Sequence, residues 1–293
     1  MLRTTRWTPF VYICPAVVLL LITFAYPLVA IFNLSVRRVQ GLTGEFVGLN
    51  NYGLVLNDDV FRLAVTHNAQ LLLAVPILLV ISILLAVLLH ERLRGWQIYR
   101  SVLFFPYVMA VPIIGVVFGN MLQLNGILNS MLRAMGLGFL ALDWIGDTNL
   151  ALWTIMGIAV WHNAGFGIVL FLARLQSLNE EIIDASKVDG AGWWQRLWYV
   201  IVPQLRDVTE FYVVNTVIMM IAWVFSYIYV ITRGGPANST QVLEFYIYNS
   251  AFRYNLFGSA SAVAAMLFII TLVLIVPFFI LRGGREEEAG GVA

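Results

Sequence analysis

Six long stretches almost free of Asp, Glu, Lys and Arg recur along this chain, separated by shorter polar segments. A helix that crosses a hydrocarbon core about 30 Å thick needs about 20 apolar residues, and each stretch supplies that length. A buried helix of a soluble protein could imitate one such stretch, but not six. The pattern therefore predicts an all-α, polytopic membrane protein with transmembrane helices near Phe10–Phe32, Asn68–His90, Val102–Leu122, Leu150–Leu172, Val208–Ile231 and Ala260–Leu281.

The composition agrees with this prediction. The 293 residues are 61% hydrophobic and 11% charged, whereas soluble domains are about half apolar and about one quarter charged. The net charge of +1 indicates no class of partner, and nothing in the sequence points to nucleic acid. Most of the 17 Lys and Arg residues fall in inside loops if the N-terminus is cytoplasmic, so we expect both termini inside.

Cys14 is the single cysteine, which excludes a disulfide within the chain and a cysteine-based metal site. The first apolar stretch follows a short basic start, as in a signal peptide. It is too long for the apolar core of a signal peptide, and no small-residue cleavage site follows it. We therefore interpret it as a retained transmembrane helix.

The longest predicted inside loop, residues 174–207, is polar, and we refer to it as the polar loop. Ser177 and Glu180 have the spacing of a capping box, which predicts that a helix begins here. Gly190 and Gly192 then predict that the helix ends. Small residues on one side of this helix favour docking against another protein. The alternative is an ordinary amphipathic connection between two membrane helices.

The second half of the polar loop reads "WWQRLWYVIVP". Trp194, Leu197 and Trp198 have the spacing of one helical face, and tryptophan is favoured at a membrane interface. Pro203 suits the first turn of the next helix, where its missing N–H is not needed. The pattern therefore predicts a helix, a glycine bend, a second helix and a proline.

This loop resembles the signature of membrane subunits in binding-protein-dependent ABC importers. That signature runs Glu-Ala-Ala, three residues, Gly, nine residues, an aliphatic residue, one residue, Leu-Pro. Here Asp184-Ala185-Ser186, Gly190, Val200 and Val202-Pro203 stand at that spacing. The sequence "DGA" at Asp189–Ala191 is similar to the version in sugar importers of the maltose-transporter type. Asp184 and Ser186 depart from the usual Glu and Ala, which puts a salt bridge carried by that Glu in doubt.

The resemblance extends over nearly the whole chain. "FVGLNNYG", "YRSVLFFPYVMAVPIIGVVF" and "VITRGGPANSTQVLEFYIYNSAF" are similar to family stretches before, within and after the membrane helices. The resemblance implies a type I ABC importer transmembrane domain over residues 10–281, with cytoplasmic tails 1–9 and 282–293. We expect the charged second tail to be disordered.

The resemblance also implies the assembly. The polar loop would be a coupling helix that docks into a cytoplasmic ATPase. Two ATPase subunits, a second similar permease (making a heterodimer) and an extracytoplasmic solute-binding protein would complete a transporter in the bacterial or archaeal inner membrane, in contact with lipid. The residues that would couple to the ATPase are Asp184, Ala185, Ser186, Asp189, Gly190, Ala191 and Pro203.

The chain has no motif for chemistry of its own. No glycine-rich phosphate-binding loop precedes the only lysine, Lys187. We therefore expect no catalytic residues and no bound cofactor in this chain, with ATP and Mg used by the partner ATPase. His67, His90 and His162 lie on separate helices without the spacing of metal ligands, so we expect no metal site.

Polar and aromatic residues inside the fourth and fifth helices are candidates for a substrate pathway, because burying them in lipid is costly. Tyr and Trp suit a sugar's mixed surface, although helix packing would use the same residues. No Lys or Arg lies within these helices, which favours a neutral solute over glycerol 3-phosphate. Two alternatives stay open: an ion-coupled secondary carrier that uses His162, and an ABC importer of glycerol 3-phosphate or another non-sugar solute. The candidate pathway residues are Trp161, His162, Asn163, Asn215, Trp223, Ser226 and Tyr227.

Overall fold

A computed structural model describes residues 8–40, 43–91 and 95–290 of the chain. Within these ranges five helices are long and apolar enough to cross a membrane, and a bent pair of helices makes a sixth span. The prediction of an all-α, multi-pass membrane protein is therefore confirmed. We number the spans in chain order: span 1 (Phe10–Ser35), span 2 (Asp59–His90), span 3 (Trp96–Val108 with Val111–Met121), span 4 (Ala151–Leu175), span 5 (Arg206–Ile231) and span 6 (Phe257–Pro277).

Span 3 differs from the straight helix that the sequence predicts. Its two halves meet at an angle of 96°, and Met109 and Ala110 between them have extended backbone. Pro112 explains the break, because its ring would clash with the carbonyl group of Val108 and it lacks an N–H group to donate. Proline is tolerated in the first turn of the second half, where no intrahelical partner is needed.

Shorter elements connect the spans. Strands β1 (Arg37–Gln40) and β2 (Thr43–Phe46) form an antiparallel hairpin. Spans 1, 2 and 5 divide into the helices Thr8–Leu20 and Tyr26–Ser35, Asp59–Leu71 and Ala74–His90, and Arg206–Ala222 and Phe225–Ile231. The remaining helices are Asn50–Leu56, Ile127–Ala134, Glu180–Val188, Trp193–Arg196, Val202–Gln204 and Leu243–Tyr248, with a 3-10 turn at Gly138–Leu140 and π-helical turns at Leu21–Ala25, Leu197–Ile201 and Asn249–Arg253.

The last helix runs from Phe257 to Gly290. The prediction of a disordered tail is therefore wrong for residues 282–290, where "RGGREEEAG" includes good helix formers. Most of the predicted tail 1–9 and residues 291–293 lie outside the described residues.

The chain divides into two compact units. One contains the described residues up to Arg62 together with Tyr246–Ile270, and the other contains Leu63–Phe245 with the described residues from Thr271 onward. The second unit holds most of span 2 and all of spans 3, 4 and 5, and therefore the polar loop and every candidate pathway residue.

In the first unit, Asn51 ties the end of span 1 to the hairpin. Its buried side-chain amide donates hydrogen bonds to the carbonyl oxygens of Ser35 (2.8 Å) and Arg37 (2.9 Å). The hydroxyl group of Tyr52 donates to that of Ser35 at 2.8 Å. The bond to Ser35 satisfies a carbonyl group that the end of span 1 leaves without an intrahelical partner, and the three bonds together give "LNNY" a structural role.

In the second unit, span 4 is the central helix, since more than half of its residues are buried. It packs against span 2 and the first half of span 3. Ser82 on span 2 hydrogen-bonds Tyr212 on span 5 at 3.0 Å, and both side chains are buried. A side chain at Gly167 would collide with both of these groups. Glycine therefore lets spans 2, 4 and 5 approach closely at this level.

Candidate functional site

The first helix of the polar loop begins at Glu180 and is capped by Asn179, whose Oδ1 accepts a hydrogen bond from the backbone N–H of Glu181 at 3.0 Å. The predicted capping box at Ser177 is wrong. Ser177 instead donates to the carbonyl oxygen of Arg174 at 2.7 Å, in the last turn of span 4. Asparagine is as good a cap as serine, so the helix still has a defined start.

The end of this helix is set by Gly190, as the sequence predicts. Gly190 has φ of 78°, a left-handed conformation that glycine adopts without a steric cost. Its N–H donates to the carbonyl oxygen of Lys187 (3.1 Å), and the N–H of Ala191 donates to that of Ser186 (3.0 Å). This pair of bonds is a Schellman motif, which satisfies the last carbonyl groups and directs the chain into a sharp bend.

One face of the helix exposes apolar side chains. Val188 is 87% exposed and Ile182 is 48% exposed, and Ala185 is exposed between them. Ser186 points the other way: it is buried, and its hydroxyl group donates to the carbonyl oxygen of Ile183 at 2.6 Å. Of the small residues predicted to allow close approach of a partner, Ala185 is accessible and Ser186 is not.

The remaining predicted coupling residues lie around this face. Asp184 pairs with Lys187 one turn along the same helix, with Nζ and Oδ1 2.8 Å apart and both side chains exposed. Asp189 is exposed and Ala191 is half-buried. Pro203 lies in the first turn of the separate short helix Val202–Gln204 and not, as the sequence predicts, in the first turn of the membrane helix. Span 5 begins only at Arg206, because Leu205 departs from helical geometry.

The predicted face of Trp194, Leu197 and Trp198 is wrong for one member. Both tryptophans are exposed, whereas Leu197 is fully buried. A π-helical turn begins at Leu197 and shifts this residue out of the exposed stripe.

Sequence reasoning missed Glu91, at the end of span 2. Its Oε1 accepts a hydrogen bond from Nε1 of Trp193 at 2.9 Å and lies 3.8 Å from Nη2 of Arg196. Glu91 is the only acidic residue between Asp59 and Asp143. That isolation in a basic segment is a signal that the sequence offers, although it does not indicate the partner.

The second candidate site is a buried network on spans 3, 4 and 5. His162 Nδ1 hydrogen-bonds the hydroxyl group of Tyr227. His162 Nε2 lies 3.1 Å from the carbonyl oxygen of Met109, at the bend of span 3, and Asn163 Nδ2 donates to Tyr227 at 3.1 Å. The side chains of His162, Asn163 and Tyr227 are all buried. We call these three side chains with the Met109 carbonyl group the buried network.

The roles in this network follow from the acceptor at its end. A carbonyl oxygen can only accept, so Nε2 of His162 carries a proton and Nδ1 of the neutral ring accepts from the hydroxyl group of Tyr227. Asn163 then donates to the oxygen of Tyr227. These proton positions are assigned from the hydrogen-bond geometry. Each donor in the buried network has an acceptor while the imidazole is uncharged. These hydrogen bonds therefore hold the bend of span 3 without a protonated histidine or a bound ion.

The other predicted pathway residues lie elsewhere on spans 4 and 5. Trp223 is 67% exposed and Trp161 is 43% exposed, whereas Asn215 and Ser226 are half-buried. The side chains of Asn215 and Ser226 form no hydrogen bond with another side chain or backbone group in residues 8–40, 43–91 and 95–290. The seven predicted residues therefore divide into a buried structural group of three and an accessible group of four.

An aromatic groove contains one of the accessible residues. The ring of Trp161 packs edge-on against that of Phe118, with 5.2 Å between the ring centroids, and both side chains line a cavity of about 530 Å³. Trp144 and Trp153, which sequence reasoning did not select, also line it. Tryptophan is too common near membrane interfaces for sequence alone to distinguish these positions.

The six spans define a multi-pass membrane protein, and the loop between spans 4 and 5 presents an exposed helix. The chain belongs to the family described as "Binding-protein-dependent transport system inner membrane component", which matches residues 53–283. It is thus a permease subunit of an ABC importer.

Relatives of known name agree with this family. The chain is 30% identical to the lactose transport system permease protein LacF of Rhizobium radiobacter, over 94% of each chain. It is 29% identical to the sn-glycerol-3-phosphate transport system permease protein UgpA of Agrobacterium fabrum, over 91% of each. The fold is similar to a chain of a bacterial alginate ABC transporter solved with an alginate pentasaccharide-bound periplasmic protein, with a TM-score of 0.82, 19% identity and coverage of 93% and 92%.

Proposed function

We propose that this chain forms half of the pathway by which a sugar or sugar derivative enters a bacterial or archaeal cell, by alternating access driven by a separate ATPase. The observation that carries the proposal is the helix Glu180–Val188, which presents exposed Ile182, Ala185 and Val188 beside the exposed charged groups of Asp184, Lys187 and Asp189. Exposed apolar side chains rimmed by charge are typical of a protein-binding surface.

The shape of this helix supports docking into a cleft. The Schellman motif at Gly190 fixes its end, and Asn179 fixes its start. A helix with both ends defined loses little conformational freedom when it binds. In this proposal the partner ATPase binds ATP and Mg and hydrolyses the ATP, and this chain binds neither.

The family implies an ATPase and a solute-binding protein as partners. The finer assembly is part of the proposal: a second, similar permease subunit, two ATPase subunits, and both termini in the cytoplasm of a cell with an inner membrane. The positive-inside distribution of Lys and Arg supports this orientation, because it places the polar loop on the side of the ATPase.

A neutral carbohydrate is the proposed cargo. Relatives named for lactose and for glycerol 3-phosphate are about equally similar to this chain, so similarity does not choose between them. The apolar parts of spans 4 and 5 contain no Lys or Arg to neutralise a phosphate. The accessible Trp161, Trp223, Asn215 and Ser226 combine flat apolar surface with hydrogen-bonding groups, which suits a sugar ring.

A cysteine crosslink tests the proposal. Cys14 is replaced with Ser, and Ala185→Cys places one thiol on the exposed face of the helix. The chain is then expressed with its genomic neighbours and treated with a bismaleimide, with and without ATP. We expect a product with a soluble ATPase whose yield depends on nucleotide.

Ser186→Cys is the matched control, since it lies one residue away but is buried. It should give little product. If neither cysteine crosslinks and no ATPase copurifies, the proposal fails. The ion-coupled carrier would then be the better interpretation, and uptake should depend on an ion gradient and on His162.

A further inference from the structure

A cavity of about 570 Å³ separates the helix Glu180–Val188 from the ends of the membrane helices. Ile183, Asp184 and Lys187 line it from the loop, and Glu91 and Trp96 line it from spans 2 and 3. The helix therefore does not pack solidly against the spans at this place. It has room to move toward or away from them.

The charged groups around the cavity compensate one another. Lys187 pairs with Asp184 at 2.8 Å, and Arg196 lies 3.8 Å from Glu91. His90 is the remaining titratable side chain in the lining. Among the described residues the charged side chains of the lining balance in pairs, so this part of the lining offers no unpaired charge to a ligand and leaves space in which the helix can move.

Glu91 bridges this gap. Its carboxylate accepts from the indole N–H of Trp193 and faces the guanidinium group of Arg196, both on the segment that follows the glycine bend. Arg196 in turn donates to the carbonyl oxygen of Ala191 at 3.2 Å, inside the bend itself. Two hydrogen bonds and one ion pair thus join the end of span 2 to the bend that follows the helix Glu180–Val188, which we call the docking helix.

We infer that Glu91 is a positioning residue that transmits movement of the docking helix to span 2, through Trp193 and Arg196. This inference rests on the proposed function, because the movement comes from the ATPase. The direct packing that could carry the same movement is interrupted by the cavity. The contacts of Glu91 with Trp193 and Arg196 instead make the end of span 2 move together with the glycine bend.

The bonds at Glu91 are partly exposed, with the side chain of Glu91 at 36% and that of Arg196 at 18% exposure. Contacts of this kind contribute little to folding. A variant without the carboxylate should therefore fold and assemble, which separates a role in transmission from a role in stability.

The test uses the complete transporter, with partner permease, ATPases and binding protein, in proteoliposomes. The readout is the number of solute molecules imported per ATP hydrolysed. Glu91→Ala and Trp193→Phe should each lower this ratio about fivefold, while ATP hydrolysis continues. The double variant should be no worse than Glu91→Ala alone, because Glu91→Ala already removes the bond to Trp193.

Two further variants sharpen the result. Glu91→Gln keeps an oxygen that accepts from Trp193, so it should retain more of the ratio than Glu91→Ala. Asp207→Ala removes an exposed carboxylate at the start of span 5 that forms no ion pair with another described residue, and should match the wild type.

The outcomes separate the inference from the proposed function. If the ratio for Glu91→Ala equals that of the wild type while Ala185→Cys still crosslinks to the ATPase, the inference is overturned and the proposed function stands. The inference is also overturned if Glu91→Ala lowers transport and ATP hydrolysis in equal proportion. If the wild type neither binds an ATPase nor imports with ATP, the proposed function itself fails.

Discussion

Tyr227→Phe is the most direct test of the buried network. The substitution removes one hydroxyl group and keeps the aromatic ring, so it creates no large cavity. Two hydrogen bonds disappear: the one to Nδ1 of His162 and the one from Asn163 at 3.1 Å. Asn163 keeps its bond to the carbonyl oxygen of Ala159 at 2.7 Å, but Nδ1 of His162 is left without a partner in a site that is 4% exposed.

The expected loss follows from two magnitudes. A buried polar group without a partner costs about 1–3 kcal/mol in proteins generally. Hydrogen bonds between membrane helices average only about 0.6 kcal/mol and reach about 1.7. Two lost bonds should therefore lower the free energy of unfolding by about 1–3 kcal/mol, with the membrane setting favouring the lower half of that range.

The free energy of unfolding can be measured by SDS titration of the subunit in bicelles. Tyr199→Phe is the matched control, because Tyr199 is 81% exposed and its hydroxyl group has no hydrogen-bond partner in the described ranges. It should leave the unfolding free energy unchanged. Equal stability of Tyr227→Phe and Tyr199→Phe would refute the assignment of a satisfied, structural network around His162.

Three further predictions concern other parts of the chain. Gly190→Ala should destabilise the docking helix by about 1 kcal/mol, because φ of 78° disfavours a side chain although space is free; reduced crosslinking from Ala185→Cys would show it, and unchanged crosslinking would contradict it. Burial raises the pKa of Glu244 to about 7, so the folded protein favours the protonated carboxyl group. The stability that this proton binding contributes is full below about pH 4.5 and is lost as the pH rises to about 7 and the buried group must ionise. Glu244→Gln should therefore gain stability over the wild type, by less than about 1 kcal/mol at pH 5 and by about 3 kcal/mol at pH 8; a gain that is equal at both pH values would disprove the reasoning. Asn129→Ala should open the segment between spans 3 and 4 to proteolysis, because buried Asn129 donates to two backbone carbonyl groups and accepts from the indole of Trp144; resistance equal to the wild type would count against this role.

The sequence predicted the spans well and their interruptions poorly. Span 3 was expected to be straight because apolar content does not report the direction of a helix. Pro112 offered a signal for the bend at Met109, but proline also occurs within continuous membrane helices. Where local chemistry decides, as at Gly190, the prediction was confirmed; where two caps compete, as at Ser177 and Asn179, the chosen cap was wrong.

The candidate sites show the same division. The sequence placed His162 and Asn163 with Tyr227 in one group, but it placed Trp223 in that group as well, which is exposed. It also selected Ser186 for docking because serine is small. Only the helix as folded shows that Ser186 points inward while Ala185 points outward. The assignment of these residues to coupling and to transport stays a prediction for the experiments above.

By itself the sequence determined that this protein crosses a membrane as helices. That follows because lipid offers the backbone no hydrogen-bond partners, so each apolar stretch must satisfy its own N–H and C=O groups locally. The tertiary structure alone decided which distant groups meet: Glu91 with Trp193, 102 residues apart, and His162 with Met109, 53 residues apart. Such meetings depend on how helices cross and bend, and those angles arise from packing between spans rather than from the order of residues within any one of them.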